Sequence, residues 1–236
     1  MGKEKRFEEL YDGFEGKELS EIWGHAKFEE GAVKIQSEIV RKGKSAVQIV
    51  IQKGDRIEQG SANSKTSERD ELLERKEFGP MEDEGFSYAF SMYIPNDFPI
   101  VPTRLVLAQW KQNDENDNST TGDSPTLALR YVDGELYLTL QTTEKKHRIF
   151  STREEVRGKW LDFVFHVKFT REEKGFVKVW MNEKQIVDYK GVTAYSEKYN
   201  YPKPGHFYFK MGLYRDRMDE PMTIYIDEFK KSPLTE

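Results

Sequence analysis

Apolar and polar residues alternate along most of this chain with a period of two, the spacing that sends successive side chains to opposite faces of a β-strand. The clearest run is Phe207-Tyr208-Phe209-Lys210-Met211-Gly212-Leu213-Tyr214-Arg215. Phe207, Phe209, Met211 and Leu213 share one parity and predict a core face. Tyr208, Lys210, Gly212 and Tyr214 share the other, where a residue without a side chain lets a ligand approach the backbone. Equally clean parity marks Phe86, Tyr88, Phe90, Met92 and Ile94, and again Leu161, Phe163, Phe165, Val167 and Phe169.

Short alternating segments bounded by Gly, Pro, Asn and Asp predict eleven strands. They are Ala32 to Gln36, Ala46 to Gln52, Phe86 to Ile94, Leu105 to Lys111, Thr126 to Tyr131, Glu135 to Gln141, Leu161 to Phe169, Phe176 to Trp180, Gln185 to Tyr189, Phe207 to Arg215 and Ile224 to Lys230. Asp133-Gly134 and Asn182-Glu183 punctuate hairpins. Helical periodicity is nearly absent, which points to an all-β sandwich of two antiparallel sheets. The least strand-like segments, Gly54 to Phe78 and Gln112 to Pro125, read as long polar loops that shape a binding site. No linker or internal repeat divides the chain, so residues 1–236 are expected to form one domain.

Composition supports a packed core: 36% of the 236 residues are hydrophobic and 13% aromatic, enough to fill a sandwich. The net charge of -5 argues against a general nucleic-acid binder, although a local basic cleft can still draw in an anionic polymer. With no cysteine, disulfides and thiolate metal sites are excluded. No stretch reaches bilayer length, so no membrane partner is expected.

Candidate chemistry gathers in three places. Gln109 and Lys111 share a parity, with Leu105 and Leu107, and their Cα atoms would lie about 7 Å apart on a strand. A Gln and a Lys facing water on an edge strand fit the same pattern. Arg69 and Glu71 share a face if Arg69-Asp70-Glu71-Leu72 is extended, although the charge-dense stretch Glu68 to Glu77 fits a helical turn as well. Lys210 and Tyr214 are about 13 Å apart along their strand and would serve different parts of a ligand. His166 lies opposite its strand's apolar parity, as a surface histidine does. His25, His147 and His206 lack metal-ligand spacing. No nucleophile elbow, phosphate loop or strand-borne carboxylate pair is present.

Together these segments resemble the jelly-roll polysaccharide lyases. Alginate lyases of that architecture carry R-S/T-E-L/V-R, Q-I/V-H and Y-F-K-A-G-V/I-Y-x-Q motifs, in that order. Their counterparts here are Arg69 to Leu72, Gln109-Trp110-Lys111 and Tyr208 to Arg215. Pro95 to Phe98, Gly158-Lys159-Trp160 before Phe163 to Phe169, and Tyr225 to Phe229 look more like heparin lyase I and glucuronan lyase. Two departures stand out: Leu73 replaces the closing Arg of the first motif, and Lys111 stands where the family has His.

The resemblance implies a jelly-roll β-sandwich with a concave cleft and a secreted or periplasmic monomer without its leader. It also implies β-elimination on a uronic-acid polymer, with a glucuronan-like chain the leading expectation. Arg69 and Gln109 would neutralise the substrate carboxylate, and Tyr214 would shuttle the proton. Lys111 as the base remains the competing assignment. Lys210, Arg215, Tyr208, Glu71, Arg130 and His166 would contact substrate. No cofactor is required, but a structural calcium could be held by Asp227 and Glu15, with Asp12 beside them. Two other classes stay open: a non-catalytic carbohydrate-binding module that lost the usual His, and a jelly-roll glycoside hydrolase.

Overall fold

The computed structural model describes residues 5–56, 66–113, 124–199, 201 and 204–235. Two antiparallel sheets stack through their apolar faces. The first is built from β13 (Lys184–Lys190), β12 (Phe176–Met181), β11 (Trp160–Lys168), β6 (Gly85–Tyr93), β15 (Met222–Pro233), β4 (Ala46–Ile51) and β3 (Val33–Gln36), in that spatial order. A short β1 (Leu10–Asp12) pairs with β15 beyond the point where β4 leaves it. The second sheet runs β10 (Lys146–Thr152), β9 (Glu135–Gln141), β8 (Leu127–Val132), β7 (Leu105–Asn113), β14 (His206–Asp216), β5 (Ser67–Glu74) and β2 (Trp23–Gly24).

The core lies where the two apolar parities meet. Phe90 of β6 packs on Phe209 of β14 with ring centroids 5.8 Å apart, and Trp110 of β7 packs on Phe165 of β11 at 4.6 Å. All four are sealed from solvent, and each such ring stabilises the fold by roughly 1.5–3 kcal/mol through burial. The predicted hairpins close as expected. Asp133 and Gly134 have φ of 51° and 73°, and Asn182 and Glu183 have 49° and 68°, the left-handed pair of a two-residue turn matched to strand twist.

The structure departs from the expected strands at several points, β1, β2 and β10 among them, and two departures bear on the site. The segment Gly54 to Phe78, read as a loop or helical turn, contains β5 in its second half. This strand escapes notice because its core-facing positions carry Glu68, Asp70 and Glu74 around a single hydrophobe, Leu72, and two of the three carboxylates are neutralised in place. Glu68 takes Arg215 at 2.8 Å, and Glu74 takes Lys231 at 2.5 Å, with all four side chains fully buried. The second departure concerns β7. Its register with β8 slips between Val106 and Ala108, so Leu105 and Leu107 join the core with Ala108, while Val106 pairs with Tyr214 and Arg130. A bulge of this kind reverses parity on one side only. Gln112 and Asn113, also read as loop, extend β7. Residues 114–123 of the other expected loop lie outside the described residues.

Candidate active site

The outer face of the second sheet collects the polar parities of β5, β14 and β7, because these strands are neighbours. Arg69 sits opposite Tyr214, Glu71 opposite Gly212, Gln109 opposite Lys210 and Lys111 opposite Tyr208. Three segments separated by tens of residues thus form one surface.

Glu71 is the hub of that surface. It is fully buried, and an ionised carboxylate there requires donors. Gln109 Nε2 donates to its Oε1 at 2.5 Å, while Arg69 Nη1 and Lys210 Nζ lie 3.3 and 3.5 Å from its Oε2. Beside this bridge Gly212 lets the backbones of β14 and β5 approach closely. Gly212 has φ of 146°, and a Cβ there would sit 2.4 Å from the Asp70 carbonyl oxygen. Burial pulls the Lys210 ammonium down to about 7; Glu71 opposes that shift, and Arg69, Lys111 and Lys27 reinforce it.

Tyr214 is clamped. The Arg69 guanidinium lies 4.2 Å from its ring centroid and that of Arg104 lies 4.4 Å from it. Arg104 is steadied by Asp216 at 2.8 Å. Cations over an aromatic face attract its quadrupole, and here they hold a phenol that remains partly exposed. Arg104 was missed at the sequence level: an arginine just before a strand carries no signal, and only the sheet brings it to Tyr214. Farther along the same face, Arg130 is 4% exposed and donates through Nε to Thr139 Oγ1 at 3.1 Å. Arg148 stacks 4.0 Å over Tyr137, which pairs with Arg130.

Five expected site residues fall elsewhere or act differently. Arg215 follows the core parity and is spent on Glu68, so it does not face the Tyr214 surface. His166 lies on β11 in the opposite sheet, edge-on to Trp180 at 4.9 Å, with the whole core between it and Tyr214. Glu71 orders the cations around it and has no exposed surface to offer a sugar. The expected calcium pair is engaged by backbone donors. Asp227 accepts backbone N–H bonds from Arg41, Lys42 and Glu228, and Glu15 accepts them from Lys44 and Ser45. Asp12 is taken by Phe14, Ser20 and Trp23. Among the described residues no group of three or more His or acidic side chains converges as a metal set.

Comparison with known proteins gives a consistent picture. A family model described as polysaccharide lyase matches residues 11–230. No curated protein sequence matches the chain. Among solved structures, the endo-β-1,4-glucuronan lyase of the fungus Trichoderma reesei superposes with a TM-score of 0.69 at 16% identity, covering 95% of each chain. A family 7 alginate lyase in complex with substrate reaches 0.56 at 13% identity, over 93% of this chain and 85% of that one. An alginate lyase holding alginate tetrasaccharide reaches 0.56 at 8% identity, over 89% and 86%. At these identities the likeness is one of fold, and it is the fold read above: a jelly-roll sandwich.

Proposed function

Since the chain belongs to the polysaccharide lyase family and is a polysaccharide lyase, we propose that it cleaves a uronic-acid polymer, glucuronan-like in its sugar, by β-elimination with Tyr214 moving the proton. The observation that carries this reading is the clamp: a partly exposed tyrosine held between two guanidinium groups, on the same face as Gln109, Lys111 and Lys210. The glucuronan lyase likeness over 95% of both chains supports the choice of sugar.

The chemistry needs three things. The C5 proton lies next to a carboxylate whose charge opposes carbanion formation, so that charge must be neutralised as the transition state develops. Arg69 and Gln109 do this. Glu71 fixes one N–H of the Gln109 amide, and the second N–H of that amide can be offered to substrate. Tyr214 removes the C5 proton, the electron pair forms the C4–C5 double bond, and the O4-linked sugar leaves with a proton returned from the same phenol. Lys210 and Tyr208 hold the reacting sugar, and Arg130 contacts the chain further along. All proposed steps use protein side chains.

Lys111 is the alternative base. The two alginate lyase structures with substrate carry paired replacements, a histidine with a tyrosine in one and a lysine with a tyrosine in the other. Lys111 and Tyr214 offer the same pair of residue types on one face here. We take the protein to be a secreted or periplasmic monomer of one domain; among the described residues no helix is long and apolar enough to cross a membrane. The deciding experiment is an absorbance screen for the unsaturated uronate product with glucuronan, alginate, heparin-type and ulvan-type polymers. Product from glucuronan is expected. Binding without product from any of them would favour a non-catalytic module.

A further inference from the structure

One buried acid of β5 has no counter-ion. Glu68 has Arg215 and Glu74 has Lys231, but Asp70, equally sealed from solvent, has no cation within ion-pair distance. Its Oδ1 accepts the Glu29 N–H at 2.8 Å, and its buried Oδ2 meets no N–H or hydroxyl donor. The side chain that hydrogen-bonds with Asp70 is another acid, the half-buried Asp55. Two ionised carboxylates repel and have no hydrogen to share, so this contact exists only with a proton between them. Burial pushes the Asp70 carboxyl up to about 8; the Glu29 N–H opposes that shift, and the Asp55 and Glu29 carboxylates add to it. Of the other charged groups near it, Glu68 and Arg215 neutralise each other, and β4, which packs against β5, has no ionisable side chain.

The contact lies where β5 has run past its outer neighbour. β2 covers only Leu73 and Glu74, and the rest of that edge is closed by residues 27–29 and 52–56. The Arg69 N–H donates to the Asp55 carbonyl at 3.2 Å and the Glu71 N–H to the Lys27 carbonyl at 2.9 Å. Each segment is held a second time through Asp70, one by the Glu29 N–H and the other by the Asp55 carboxyl. The two are also tied together, since the Arg56 N–H donates to Glu29 Oε1 at 3.0 Å and Arg56 Nη2 donates to the Ala26 carbonyl. The residues fastened along this edge are Arg69, which clamps Tyr214, and Glu71, which anchors Gln109 and Lys210.

We propose that Asp70 is a positioning residue for the lyase reaction: the proton shared between it and Asp55 latches both segments onto β5 and so holds Arg69 and Glu71 in place. This rests on the lyase reading above and adds a latch that opens when the proton leaves. Repulsion between the two carboxylates then loosens the edge, and Arg69 loses its hold on Tyr214.

Asp70→Asn and Asp55→Asn each put an amide N–H in place of the shared proton, so the contact persists at any pH. The test measures kcat at pH 7 and pH 9 for the three proteins and compares the ratio within each, which cancels titrations they share, that of Lys210 included. Wild type is expected to lose about tenfold more than either variant, the fall of a latched population about one unit above its midpoint. Equal ratios in the folded variants would overturn the latch. Asp55 is half-buried, so Asp55→Asn reports even if Asp70→Asn folds poorly. If the wild type yields no unsaturated product, the lyase reading fails by itself, and melting temperatures decide the latch separately. A proton held by the folded state until about pH 8 contributes stability that is lost as pH rises toward that value. Between pH 5 and pH 8.5 the melting temperature of wild type should therefore fall, relative to that of either folded variant, by about 2–4 °C or more; parallel courses overturn the latch.

Discussion

Gln109 and Glu71 sit on strands that do not touch each other, yet the Gln109 amide donates to the Glu71 carboxylate at 2.5 Å across β14. Next to the bridge Gly212 brings the backbones of β14 and β5 close together. The bridge ties the three chemistry-bearing strands together and aims the cations of Arg69 and Lys210 from a common anchor.

Gly212 should therefore resist substitution. In Gly212→Ala the new Cβ meets the Asp70 carbonyl oxygen and the Glu71 Cα at 2.4 and 2.8 Å, at a φ of 146°. Both contacts are with backbone, which cannot swing away. A loss of at least about 1–3 kcal/mol is expected, read by urea denaturation. A variant as stable as the wild type would contradict this account of the crossing.

Tyr214→Phe keeps the ring between Arg69 and Arg104 but removes the proton carrier. Turnover should fall by about 10²–10⁴ with the melting temperature nearly unchanged, measured as absorbance of the unsaturated product. Lys111→Met separates the two bases: if Tyr214 is the shuttle, Lys111→Met retains far more activity than Tyr214→Phe. The reverse order would transfer the role to Lys111.

Lys210 makes stability depend on pH. Its folded value near 7 lies below its ordinary 10.5, so between those limits the unfolded chain binds a proton that the folded chain has released. Stability contributed this way rises with pH across that window, by up to about 1.4 kcal/mol per unit, and is lost as pH falls through 7. Denaturation at pH 7 and pH 9 should show a steeper rise for wild type than for Lys210→Met. Equal slopes would mean that burial does not depress this ammonium.

The Lys231–Glu74 pair joins the two sheets through the core, with Lys231 also donating to the Phe78 carbonyl. Removing one partner strands a buried charge. Lys231→Met is expected to cost about 3–5 kcal/mol, and Lys231→Met with Glu74→Leu to recover much of it. A double variant no better than the single one would show that the loss came from packing.

Chelation should leave the melting temperature unchanged, since the oxygens of Asp227 and Glu15 already accept backbone N–H bonds. A marked drop restored by calcium would reveal a metal site formed differently from these contacts.

Strand parity alone determined much of this protein. Phe207 to Leu213, Phe86 to Ile94 and Leu161 to Phe169 declare their core faces because a half-buried strand must alternate, and the same rule set Tyr208, Lys210 and Tyr214 together on the other side. The two hairpin dipeptides were equally plain, since few residues tolerate a left-handed turn. Strand β5 was hidden because hydrophobicity marks burial only when buried residues are apolar. Glu68, Asp70 and Glu74 are buried polar groups, and Arg215 and Lys231, the partners of Glu68 and Glu74, lie more than a hundred residues away. The parity of Leu105 to Val106 failed because a bulge is a feature of pairing between strands and leaves no mark on the alternation within one. Arg215 and His166 were misplaced for related reasons, the first by a core ion pair and the second by which sheet its strand joined. Only tertiary structure could decide that Arg69 and Arg104 clamp Tyr214, or that Gln109 reaches Glu71. Those relationships are set by the lateral order of strands, which arises from long-range pairing that no local pattern encodes.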